Sequence, residues 1–247
     1  MKLEKIVTWL DKTLNVSAFD DVSNNGLQVE RSEAGGQRSE VKAVAFAVDA
    51  SVRAVKAAAK SGAQLLVVHH GISWGGGIRR LEGGVYNVVK AAMDANLAIY
   101  ACHLPLDAHP VLGNNAQLAK LLGLKRIRSA FNYHGNVIGL VGVLEKLEAL
   151  EALVSPERMV TLKIPIRVGV CSGGAGEFAE EAKRLGCDVY LTGEASWGDV
   201  IAAENCGMRM ICAGHYETEV FGVRAVAKAM AKALRVKTVD LSQNGGI

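Results

Sequence analysis

SGAQLLVVHHGISW, residues 61–74, has a counterpart in LGCDVYLTGEASWG, residues 185–198. In each, a glycine (Gly62, Gly186) precedes a short apolar run. The run then ends on polar side chains beside another glycine, with His70 opposite Glu194 and Asp49 opposite Gly173. Downstream, NLAIYACHLPLDAH (96–109) lines up with GMRMICAGHYETE (207–219), which sets His103 against His215 and Asp107 against Glu219. A pattern that repeats with its polar positions in step reads as two diverged copies of one α/β unit.

Working outward from these segments, apolar strands alternate with amphipathic helices. Strands are predicted over Val41–Val48, Gln64–Val68 and Leu97–Cys102, and helices over Ser51–Lys60, Val85–Asp94 and Gly113–Leu122. The rhythm resumes with strands at Ile166–Cys171, Val189–Thr192 and Met208–Ala213, and helices at Glu177–Leu185, Val200–Cys206 and Val220–Leu234. Nearly continuous apolar strands of this kind belong to sheets covered by helices. Between the copies, Val137–Leu144 and Met159–Ile164 read as strands and Glu145–Leu153 as a charged helix. Leu3, Ile6, Val7, Leu10 and Leu14 form one face of an N-terminal helix, and Glu30–Glu40 is a polar, exposed stretch. The expected division is a first α/β lobe over 1–126, to which 237–247 can return, and a second over 127–236, with a metal-binding cleft between them.

Composition narrows the function. The 28 basic and 25 acidic residues are interspersed and give a net charge of +3, so no basic block marks a nucleic-acid groove. No apolar run approaches the roughly 18 residues of a membrane span. Five cysteines, none in a CxxC pair, sit in or beside apolar segments, as thiols do in a reducing compartment. The expectation is a cytoplasmic protein.

The chemistry concentrates at predicted strand ends. His69, His70, Asp107, His215 and Glu219 combine imidazole with carboxylate, which suits borderline divalent metals: iron, zinc, manganese or nickel. Adjacent histidines on an extended chain face opposite sides, so His69 and His70 either straddle a pair of ions or converge where Gly71 permits a turn. His215 and Glu219, four apart, share a face if a helix begins there. His103 is cut off from Asp107 by Pro105 and is assigned to a supporting shell or a proton shuttle. The glycines of SGGAGE (172–177) could hold an anion through backbone N–H groups or simply form a tight turn. Glu194 borders either the site or solvent, and Trp74 and Trp197 occupy comparable places in the two copies, read as core or rim packing rather than as substrate platforms.

HHG at 69–71, HLPLDAHPVLGNNAQLA at 103–119 and GHYETEVFG at 214–222, with NNGLQVE at 24–30 and CSGGAG at 171–176, resemble the NIF3-like family of dinuclear metal-centre proteins. The resemblance spans nearly the whole chain. It implies a NIF3-like fold of two related α/β lobes with mixed sheets, two divalent metal ions, and a homohexamer built as a trimer of dimers. It carries the ligand roles to His69, His70, Asp107, His215 and Glu219, with Thr218 marking Glu219 rather than Glu217 as the last. Members are often named GTP cyclohydrolase 1 type 2 homologues, yet no guanine-recognition signal stands in these residues. The loop ISWGGGIRR (72–80) is richer in glycine than in many relatives. The function expected is metal-dependent hydrolysis of an unknown small-molecule substrate. The alternative is a non-enzymatic metal carrier, insertion factor or regulatory scaffold.

Overall fold

A computed structural model describes residues 1–32, 40–151 and 162–242. Packing divides the chain into two units, Met1–Leu106 with Val223–Ile247, and Asp107–Gly222. These limits fall earlier than the 126/127 and 236/237 read from sequence. The difference arises because the helix Asn114–Leu122 packs on the second sheet, and because the last long helix changes unit part-way along.

The first unit is built on a five-stranded mixed sheet. Its strands are β1 (Gly26–Val29), β2 (Ala43–Asp49), β3 (Leu65–His70), β4 (Ala98–Ala101) and β10 (Lys237–Asp240), in the order β1-β4-β3-β2-β10. β10, β2, β3 and β4 run parallel, and β1 closes one edge antiparallel to β4. β2 and β3 are apolar and buried almost throughout, as expected of strands covered on both faces. On one face, α2 (Val52–Lys60) and α3 (Gly83–Asp94) pack Ala54, Val55, Ala58, Val88 and Ala92 against Leu66, Val68 and Ile99. Ser51 starts α2 by accepting the amide of Ala54, which satisfies one of the donors a helix leaves open at its first turn. Helix α1 (Leu3–Leu14) buries Ile6, Leu10 and Leu14, and Asp11 accepts a 2.8 Å hydrogen bond from the Tyr100 hydroxyl on β4.

The second unit repeats the scheme with different edges. Its sheet runs β5 (Lys125–Tyr133), β6 (Asn136–Leu144), β7 (Ile166–Cys171), β8 (Val189–Thr192) and β9 (Arg209–Cys212) in chain order. β5, β6 and β7 are antiparallel neighbours, whereas β7, β8 and β9 are parallel. Leu118, Ala119 and Leu122 of α5 (Asn114–Leu122) pack on Leu140, Val168, Val170 and Leu191. Helices α7 (Ala179–Arg184) and α8 (Trp197–Asn205) connect the parallel strands. Two mixed sheets flanked by helices match the fold class read from sequence.

The differences are local. β3 extends to His70, so both histidines lie inside the strand rather than after it. The long helix α9 starts at His215, not Val220, and runs to Leu234. Of the helix expected over 145–153, α6 spans Glu148–Glu151, and 152–153 lie outside the described residues. Of the strand expected over 159–164, residues 159–161 lie outside them too, and 162–164 form no strand. Within the polar stretch 30–40, residues 33–39 are likewise outside. β1, β5 and β10 were not expected as strands.

β5 holds Phe131 at a positive φ of 66°, with its ring 5.2 Å from Tyr190 and 5.6 Å from Phe178. That ring occupies the space a side chain would need at Gly139, where a Cβ would lie 2.6 Å from both Phe131 Cδ2 and the Val170 carbonyl oxygen. Gly139→Ala is therefore expected to destabilise the chain by about 1–3 kcal/mol through overpacking. Urea unfolding of the variant against the parent chain measures this, and an unchanged midpoint would refute the packing argument.

Candidate metal centre

In the first unit, β3 and the segment after β4 bring three imidazoles together. The His69 and His70 ring centroids are 4.6 Å apart, and the His103 ring lies 5.2 Å from His69 and 5.8 Å from His70. One ligating atom from each falls within 4.8 Å of the others. Every ring is fixed through its Nδ1. His69, fully buried, meets the Cys102 carbonyl at 2.9 Å; His70 meets Asp49 Oδ1 at 2.8 Å; His103 meets Asp21 Oδ1 at 2.9 Å. A carbonyl or carboxylate on one ring nitrogen sets the tautomer and turns Nε2 toward whatever the cluster binds.

Asp21 does more than hold His103. Its Oδ2 accepts the Leu104 amide and the Asn25 side-chain amide, and Asn25 in turn accepts the His103 amide. Burial alone would raise the Asp21 pKa, but the hydrogen bond and charge of His103, with the Asn25 and Ser23 bonds, outweigh it and lower the group to about 2.

The second unit supplies two buried carboxylates and one imidazole. Asp107, on α4 (Leu104–Ala108), accepts hydrogen bonds at Oδ1 from Asn114 Nδ2 (2.8 Å) and Ser172 Oγ (2.9 Å). Asn114 and Asn115, both buried, brace this corner: Asn114 accepts the Gly222 amide, and Asn115 accepts the Ser172 amide while donating to the Ile138 carbonyl. On the first turn of α9, His215 Nε2 lies 3.2 Å from Glu219 Oε1, and its Nδ1 lies 2.9 Å from Glu194 Oε1. The hydrogen bond to Glu219 favours the charged ring, burial opposes it, and Glu194 adds to it, so the His215 pKa is pushed up to about 9.

Backbone at two glycines makes room for these groups. A Cβ at Gly173, whose φ is +69°, would sit 2.2 Å from Glu219 Oε1. A Cβ at Gly193 would lie 2.6 Å from both Thr218 Oγ1 and the Gly173 carbonyl oxygen. The glycine-rich segment after β7 thus serves close packing around Glu219, and Thr218 Oγ1 accepts the Gly173 amide at 3.0 Å.

Taken over the described residues, histidine, aspartate and glutamate side chains form clusters arranged for a dinuclear divalent-metal centre. The donors are nitrogen and carboxylate oxygen without thiolate, a set that several first-row metals accept, so the identity of the ions stays open.

A profile of Duf34/NIF3 (NGG1p interacting factor 3) matches residues 1–244. The chain belongs to this family. A Pyrococcus horikoshii protein named GTP cyclohydrolase 1 type 2 homolog is 39% identical, with 100% of both chains covered. Among solved structures, protein ybgI, described as of unknown function, superposes with a TM-score of 0.84 at 31% identity over 98% of both chains. TTHA1606 from Thermus thermophilus gives 0.79 at 30% identity, covering 100% of both.

Within this NIF3-family chain, three of the residues singled out from sequence (His69, His70, His103) meet in the first unit. His103, set apart in the sequence reading because Pro105 follows it, has its ring as close to His69 as many directly packed aromatic pairs. His215 and Glu219 meet on α9 as their spacing predicted. Glu194 faces His215 instead of solvent alone, and Trp74 packs edge-on against His103 at 5.1 Å. Asp21, Asp49, Asn114, Asn115 and Ser172 were missed as supporting groups. Asn114, Asn115 and Ser172 carried a signal, since they sit inside the motifs, and Asp49 only as a position in the repeat.

The depressed Asp21 pKa has a signed consequence. A carboxylate lowered on folding stabilises the chain above its unfolded value and loses that contribution as pH falls through the folded one. Here the window runs from about 4 down to about 2, and the contribution at neutral pH is roughly 2 kcal/mol. Asp21→Asn should lower stability at pH 7 by that order and flatten its decline in acid. Urea denaturation of both chains at pH 7 and pH 3 tests this; equal pH dependence in the two would disprove it.

Proposed function

We propose that His69, His70, Asp107, His215 and Glu219 together hold two divalent metal ions, and that the chain is a metal-dependent hydrolase acting on a small molecule. The observation that carries this reading is the orientation of the imidazoles: each has its Nδ1 committed to a carbonyl or carboxylate. Histidines that serve only as packing have no need of such uniform restraint, whereas metal-ligating histidines commonly show it. Spacing supports the fit as well. Donors bound about 2.0–2.2 Å from one ion lie roughly 3 Å apart, and His215 Nε2 and Glu219 Oε1 are separated by 3.2 Å.

When bound, such a pair of ions supplies Lewis acidity and lowers the pKa of coordinated water. The chain's own groups supply the rest. Asp49 and Glu194 hold His70 and His215 in place, and Asn114 and Ser172 fix the Asp107 carboxylate. His103, fixed at Nδ1 by Asp21, holds or moves a proton at Nε2. The family name borne by the Pyrococcus horikoshii relative suggests a purine nucleotide, but hydrolysis in general is the reading supported here. A homohexamer, as a trimer of dimers, and a cytoplasmic location belong to the same proposal. Among the described residues no helix is long and apolar enough to cross a membrane.

Protein purified without added metal should show two anomalous-scattering peaks per chain, within about 4 Å of each other. His69→Ala and Glu219→Ala should each reduce the metal content measured by elemental analysis. Asp49→Asn should weaken metal binding by roughly 10–100-fold. A panel of nucleotides, cyclic phosphates and small amides gives the activity readout. Turnover that persists in a chain lacking both His69 and Asp107 would refute the hydrolase assignment. Exchangeable metal without any turnover would favour a metal carrier.

A further inference from the structure

At the carboxyl ends of β2 and β3, by the first turns of α2 and α3, a groove of about 480 Å³ opens. Its walls are mainly apolar: Ala50, Val52, Ile72, Trp74, Val85 and Val88. Leu66 and Val68 pack in the core with α2 and α3, and His70, two residues further, ends the strand. Gly71, the next residue, lines the groove together with Trp74.

Trp74 lines the groove and also faces the imidazoles. Its ring centroid lies 6.1 Å from His70 and 5.1 Å from His103, the latter edge-on. The side chain is 38% exposed, yet it is held firmly: Nε1 donates to the Gly71 carbonyl at 3.0 Å, and the backbone bridges Ser23. An exposed indole restrained in this way loses little conformational freedom when a ligand stacks on it. The groove's volume falls within the range of small-molecule sites.

We infer that this groove seats a planar aromatic or heteroaromatic ring of the substrate against Trp74, with the bond to be cleaved carried beside His70 and His103. The inference rests on the hydrolase reading for that bond, but the ring preference belongs to the groove alone. It narrows the substrate to compounds with a flat ring system of one or two rings, and excludes purely aliphatic ones.

The test compares 2-naphthyl phosphate with its decahydro analogue, which has the same carbon skeleton without the flat rings. Binding of each is measured by calorimetry on metal-loaded and on chelator-treated protein. The parent chain should bind the naphthyl compound about tenfold more tightly, the order of an aromatic stacking contact. The preference should persist after metal removal, shrink little in Trp74→Phe and vanish in Trp74→Ala. Equal binding of the two compounds, binding of neither, or a preference unaltered in Trp74→Ala would overturn the inference. So would a Trp74→Ala chain that changes only its assembly state by light scattering, since the indole would then serve an interface. A ring preference without turnover of any substrate counts against the hydrolase reading and leaves the groove assignment standing. Turnover without a ring preference does the reverse.

Discussion

A parallel strand packed on both faces can place polar side chains only at its ends, and any imidazole there that water does not reach must find its hydrogen bonds within the protein. His69 is in that position: it lies at the carboxyl end of β3, is fully buried, and meets the Cys102 carbonyl at 2.9 Å. This one contact ties β3 to the residue following β4 and determines which ring nitrogen points away from the core. The same logic operates in the second unit. Thr192 at the end of β8, Ser172 after β7 and Glu219 on α9 are buried polar groups, with Thr192 and Ser172 bonded to backbone or neighbouring side chains. The chemistry sits at strand ends because the sheet interior admits nothing else.

The two units share a scaffold and differ in wiring. In the first, Asp49 and His70 are direct neighbours across β2 and β3, and their side chains are hydrogen-bonded at 2.8 Å. In the second, the corresponding positions hold Gly173 and Glu194, so that contact cannot form. Glu194 instead reaches His215, the counterpart of His103. His103 takes its carboxylate from Asp21, which lies outside the repeated segment altogether. One copy thus offers mostly imidazole and the other mostly carboxylate, a division of labour that a repeat with identical polar positions could not provide.

Much of this is legible in the amino-acid sequence. Parallel strands such as β7 and β8 announced themselves as unbroken apolar runs, and the spacing of His215 and Glu219 foretold their meeting on a helix. β5 was hidden because its first five residues, KRIRS, are all exposed; an edge strand has no buried face to imprint an alternation on the sequence. β10 is short and only partly buried, and β1 has four residues. Asp21 could not be recognised because it stands in an irregular segment far along the chain from His103, and no periodicity marks a residue whose partners are set by tertiary packing. Asp49 was seen only as a position in the repeat, since its role depends on strand register.

Gly173 carries a consequence for how this chain can change over time. Its backbone conformation already discourages most residues, and Asn, which tolerates that conformation better than most, would still drive its Cβ into the Glu219 carboxylate. Any side chain here therefore costs twice, once in backbone strain and once by pushing the Glu219 carboxylate out of its present place. The codon is thus tied to the position of a carboxylate 46 residues downstream.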